Sequence, residues 1–180
     1  METTLFSDRS LWTMFHGMVL GGGGLILLFA ALFGLQAMRA DAGLDPALEK
    51  RSQQLAWLLV LTALLLWASV IVGTYVVFPP YRATPPEGLA DLAEYPRSLI
   101  QSNPETAWLH SFAMETKEHA PWIATMLATA VAFVGVRYRS RLLGDSGLNR
   151  MATGLLTIAF LVVTYVSLLG VFVNKVAPLE

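Results

Sequence analysis

The chain holds three histidines, and two of them share one short stretch, WLHSFAMETKEHAPW, from Trp108 to Trp122, with Glu115, Lys117 and Glu118. The third, His16, lies in LWTMFHGMVLGGGGLILLF. An imidazole inside an apolar run is costly unless it has a partner or a function. There is no cysteine, which excludes iron–sulfur clusters, thiolate zinc sites, disulfides and covalently attached c-type haem. Any cofactor must therefore be held by His, Met, Tyr or carboxylate. Two imidazoles at equal depth on different helices can ligate a b-type haem iron in an apolar slot. His16 and His119 form that expected pair. His110 is the poorer candidate, since in WLHSF it also reads as the polar member of an amphipathic interfacial turn. On a continuous helix the nine residues from His110 to His119 turn through about 900°, so the two face opposite ways. For each histidine the alternative is an interfacial hydrogen-bonding group.

Neighbouring residues admit paired readings as well. Gly23 and Gly24 follow His16 by two helical turns, roughly on its face, and would let a flat macrocycle approach the backbone; helix–helix contact is the other explanation, with Gly17 and Gly21 as a small-xxx-small pair. Arg82, just after the second apolar run, has the fork geometry to hold a haem propionate, or it anchors the helix at the interface. Glu115 and Glu118 are candidate proton acceptors from a quinol. Their alternative is a solvated helix turn with a Glu–Lys pair.

The elements that carry these residues are set by composition. The chain has 180 residues, 55% hydrophobic and 14% charged, against roughly 25% charge in an ordinary soluble domain. Four windows reach the ~20 apolar residues a bilayer core demands: Leu11 to Met38, Leu55 to Phe78, Ala120 to Val136 and Met151 to Val173. The expectation is one all-α domain over residues 1–180, a four-helix transmembrane bundle with a long extracytoplasmic loop, 79–119, between helices 2 and 3. The opening METTLFSDRSLW lacks the basic region and cleavage site of a secretory signal, so the first run is expected to stay as a span. In the long loop, Pro79-Pro80 and Pro85-Pro86 should stop the second helix, and Asn103-Pro104-Glu105 resembles a helix start.

Charge sets the expected orientation. Arg39, Lys50 and Arg51 mark one short connection and Arg137, Arg139, Arg141 and Arg150 the other, which puts both in the cytoplasm and the termini and long loop outside. A net charge of -1 gives nucleic-acid binding no electrostatic support. Zinc-protease, P-loop and nucleophile-elbow motifs are absent. The second and fourth spans read as packing elements, with Tyr75 and Tyr165 able to line a pocket.

This span pattern and the His16/His119 pairing are similar to small four-helix membrane b-type cytochromes, the quinone-linked anchors of respiratory complexes. The resemblance implies a haem b subunit of the inner or cytoplasmic membrane. Its role there is electron transfer between quinone and a partner redox protein at the outer face, within a complex of other subunits. Those families usually carry ligands at both membrane faces, and here no histidine marks the inner side. The competing expectation is a cofactor-free structural or assembly subunit of a larger membrane complex.

Overall fold

The computed structural model describes residues 6–38 and 47–178, and every regular element among them is helical. In chain order these are α1 (Asp8–Ala37), α2 (Ala47–Tyr81), α3 (Pro96–Ser102), α4 (Leu109–Tyr138), α5 (Ser140–Gly144) and α6 (Ser146–Val176). By length and hydropathy, α1, α2, α4 and α6 can each cross a membrane. Arg39, one of the expected cytoplasmic charges, lies outside the described residues.

Local chemistry explains where the helices begin. Ser7 caps α1, its hydroxyl accepting from the Ser10 N–H at 3.2 Å, with Asp8 in the first turn against the positive helix end. The Asp145 carboxylate caps α6, accepting from Gly147 N–H at 2.9 Å and Leu148 N–H at 3.1 Å. The N–H groups of Leu148 and Gly147 hold its pKa below the usual carboxylate range.

Two boundaries differ from the sequence expectation. α2 does not stop at Pro79-Pro80 but ends just beyond it at Tyr81, where the Arg82 N–H returns to the Phe78 and Pro79 carbonyls. α4 begins at Leu109, later than the start near Pro104 that Asn103-Pro104-Glu105 suggests, though well before the charge-free window opens at Ala120, and it continues through Pro121 as expected. The window ended where charge began, whereas burial continues outward through Leu109, Ala113 and Met114. The Asn103-Pro104-Glu105 signal marks a turn one step earlier: the Asn103 side-chain oxygen accepts from Glu105 N–H at 2.9 Å.

Sideways, α1 packs on α2 and α6, and α4 packs on the same two, so α1 and α4 stand diagonally across the bundle. Packing in lipid is driven by close van der Waals fit, since lipid tails are as apolar as leucine. Fully buried Leu28, Leu35, Leu55, Leu59 and Leu156 form the main core. Gly135 lets α4 meet α2 so closely that a Cβ there would come 2.6 Å from Leu59 Cδ1. Large side chains such as Ile26, Phe29, Phe33, Trp57 and Phe133 point outward and are exposed, as a lipid-facing belt requires. A second, smaller core of Tyr81, Ile100, Leu109, Met114, Leu169 and Val173 closes the end that carries α3, here called the long-loop end. Between the two cores lies the site.

Candidate functional site

Three helices depart from α geometry at the long-loop end. π-wound segments occupy Phe15–Gly22 of α1, Gly73–Val77 of α2 and Leu109–Met114 of α4. In the second, the Phe78 N–H reaches back five residues to the Gly73 carbonyl. Such winding is rare overall but frequent at functional sites, where it re-aims side chains that a regular helix would point elsewhere. Here the first segment carries His16, the second faces it, and the third carries His110.

The space between the two cores is a cavity of about 620 Å³, within the range of small-molecule and cofactor sites. Its apolar wall includes Leu66, Val70, Val163 and Val166; its polar groups include Arg9, His16, Lys117, Glu118 and His119. Thr13, Thr125 and Ser167 also line it, but their hydroxyls already donate to the carbonyls of Arg9, Pro121 and Val163 on their own helices.

His16 projects from α1 onto α2. Its ring lies so close to Gly73 that a Cβ there would come 2.8 Å from Cε1, and it meets the Ser69 backbone carbonyl. Nδ1 is buried and has no hydrogen-bond partner among the described residues. His119, on α4, is exposed at the cavity rim. Its Nδ1 is 2.8 Å from the Glu115 carbonyl; since a carbonyl only accepts, Nδ1 carries the proton and Nε2 presents a lone pair. The two imidazoles therefore belong to diagonal helices and open on one cavity.

His110 belongs to a separate group. Its Nδ1 and the hydroxyl of buried Tyr81 share a hydrogen bond of 3.0 Å, and Tyr81 stacks on Phe78 at 5.8 Å. Arg97 of α3 lies close enough to act electrostatically on both, and its Nε is buried without a partner among the described residues. This group pins the long loop to the end of the bundle, aided by a bond from Arg9 Nη1 to the Glu94 carbonyl at 3.2 Å.

The other sequence candidates are distributed as follows. Gly23 and Gly24 lie in the α1–α2 seam, each with a leucine where a Cβ would go: Leu65 Cδ2 and Leu66 Cδ2, both at 3.1 Å. It is Gly17 and Gly21 that border the cavity. Arg82 is exposed with its guanidinium 5.2 Å over the Phe78 ring. Glu118 lines the cavity, whereas Glu115 is exposed on the outer side of α4. Tyr75 and Tyr165 face outward.

Lys117 departs from the expected Glu–Lys pair. Instead of standing in a solvated turn, it enters the bundle from α4 and reaches α6, where a Cβ on Gly170 would come 2.6 Å from its Nζ. It also acts electrostatically on His16. The signal was one of phase: Met114, Lys117, Pro121, Ala124 and Ala128 follow each other at spacings of three and four, the stripe that an amphipathic helix buries. Among the described residues no group of three or more His, Cys, Asp or Glu is placed to hold a metal ion. No protein-family model matches the chain, nor does any curated protein or solved structure.

Proposed function

We propose that this chain is a membrane electron-transfer subunit that binds haem b at the long-loop end. The observation that carries the proposal is the pair of imidazoles, His16 and His119, on diagonal helices opening on one cavity. The residues suit the group. His119 is fixed in the tautomer that leaves Nε2 free, His16 holds a buried Nδ1 with no partner among the described residues, and Leu66, Val70, Val163 and Val166 give the cavity an apolar wall. A histidine whose other nitrogen is tied to a carbonyl is the usual oriented form of a metal ligand. When bound, haem b supplies a one-electron iron couple. His16 and His119 would hold the group between the two apolar cores, and Glu118 at the rim would accept a proton from a quinol.

The same reading has the long-loop end facing outward, supported by Lys50, Arg51, Arg137, Arg139, Arg141 and Arg150 clustering at the opposite end. A donor or acceptor protein would dock on the 82–108 connection. The test is a reduced-minus-oxidised absorption spectrum of the purified protein. A Soret band with b-type α and β bands is the expected result, and their absence from folded protein overturns the proposal. A cofactor-free structural subunit is favoured by a different observation, the filling of the Gly23 and Gly24 positions by leucine side chains; that reading expects the featureless spectrum.

A further inference from the structure

A lysine deep in an apolar bundle demands an explanation, because an ammonium away from water is costly unless paired. Lys117 lies some 12 Å along α4 from its start at Leu109. Its side chain is partly buried and lines the cavity. Among the described residues no carboxylate comes within ion-pair distance of it, and it makes no hydrogen bond. Yet its place is prepared. Gly170 removes the side chain that would collide with Nζ, as Gly73 does for the neighbouring ring of His16. Two glycines on two different helices thus seat two polar side chains beside one another at one end of the cavity.

We infer that Lys117 anchors a carboxylate carried on an apolar body. An anion satisfies the ammonium where a neutral carbonyl, such as that of a quinone, leaves its charge uncompensated. The wall hydroxyls of Thr13, Thr125 and Ser167 donate to their own helices, whereas the Lys117 ammonium is a cation on the lining with no partner among the described residues, matched to one singly charged acceptor. Arg9, also on the lining, gives one N–H to the Glu94 carbonyl, and Glu118 supplies a negative charge at the same wall without reaching Lys117. Leu66, Val70, Val163 and Val166 then receive the apolar body. Two sources have this chemistry: a haem propionate, in which case the inference rests on the haem reading, and a free fatty acid, in which case it does not.

The test compares acids with their neutral counterparts in an uncharged detergent. Dodecanoate and dodecanol are titrated calorimetrically, and haem and its dimethyl ester by Soret absorbance. A charge-assisted hydrogen bond of this kind gives the wild-type protein a preference of about 10- to 100-fold for the acid. Lys117→Met removes that preference. Gly170→Ala, which retains the charge but places a methyl 2.6 Å from Nζ and so displaces it, weakens acid binding to a smaller extent and serves if Lys117→Met does not fold. Preference within the haem pair identifies a propionate; preference confined to the dodecyl pair identifies a fatty acid. Equal binding of acid and neutral partner by wild type in both pairs, no binding of either acid, or a preference that survives Lys117→Met overturns the inference. Haem that binds regardless of esterification, with no preference in the dodecyl pair, overturns it and leaves the haem reading standing. Lys117-dependent dodecanoate binding without haem does the reverse.

Discussion

Replacing Gly73 by alanine probes the geometry of the site without reference to any ligand. The added Cβ would sit 2.8 Å from His16 Cε1 and 3.2 Å from Nε2, so the imidazole or the α1–α2 seam must move. Overpacking of this kind costs about 1–3 kcal/mol, while exchanging a helical glycine for alanine returns roughly 0.5–1 kcal/mol. The net expectation for the single variant on haem-free protein is about 0–2.5 kcal/mol of destabilisation. The sharper quantity is the coupling. In a His16→Ala background the ring that the methyl would meet is gone, the backbone gain remains, and Gly73→Ala should stabilise by roughly 0.5–1 kcal/mol. The double-mutant cycle therefore predicts a coupling of about 1–3 kcal/mol. It is read by titrating a denaturing detergent into micelles and following helicity by circular dichroism. Additivity of the two substitutions within about 0.5 kcal/mol would refute the packing of His16 on α2.

Tyr81→Phe removes the hydroxyl bound to His110 and should lower stability by about 0.5–1.5 kcal/mol; the same substitution in a His110→Ala background should have a smaller effect, measured in the same micellar unfolding assay. Asp145→Ala removes the α6 cap. Because the folded-state pKa of Asp145 is depressed, its contribution is fully present above the ordinary carboxylate range and lost as pH falls through the folded value, so wild type and variant should differ at neutral pH and converge in acid. Cysteines at Ala83 and Ser146, in a chain with none of its own, stand at opposite ends of the bundle. In intact cells an impermeant thiol reagent should label the first and spare the second; the opposite pattern turns the long-loop end inward.

Much of the architecture was legible because lipid imposes a simple rule. Uninterrupted apolar length identified all four long helices, and the centres of the runs coincide with α1, α2, α4 and α6. The ends were less legible, since hydropathy registers charge while a helix ends where hydrogen bonds end. α4 accordingly runs outward through Glu115, Lys117 and Glu118 to Leu109. Matching depth brought His16 and His119 to the same cavity on paper, but angular position was out of reach. Three π-wound segments shift the phase of the residues that follow them, and no pattern in the apolar spacing announced them. Gly23 and Gly24, on the same side of α1 as His16, meet Leu65 and Leu66 farther along α2, so leucine side chains occupy the space a macrocycle would need there. Lys117 was recoverable in principle from the buried stripe on α4, and was obscured because its acidic neighbours Glu115 and Glu118 suggested a surface turn. The niches of Gly73 and Gly170 depend on pairings between helices, which one sequence does not encode in any local pattern.

The central claim is that His16 and His119 hold one haem iron between diagonal helices, and the most direct measurement is electron paramagnetic resonance of the oxidised protein, wild type beside three alanine variants. The account predicts a low-spin, bis-imidazole signal in wild type and in His110→Ala. His16→Ala and His119→Ala should each convert it to a high-spin signal or abolish it, since among the described residues His110, the remaining imidazole, is committed to Tyr81. A low-spin signal that survives His16→Ala but is lost in His110→Ala would contradict the account and move the site from the cavity to the Tyr81–His110–Arg97 group under the long loop.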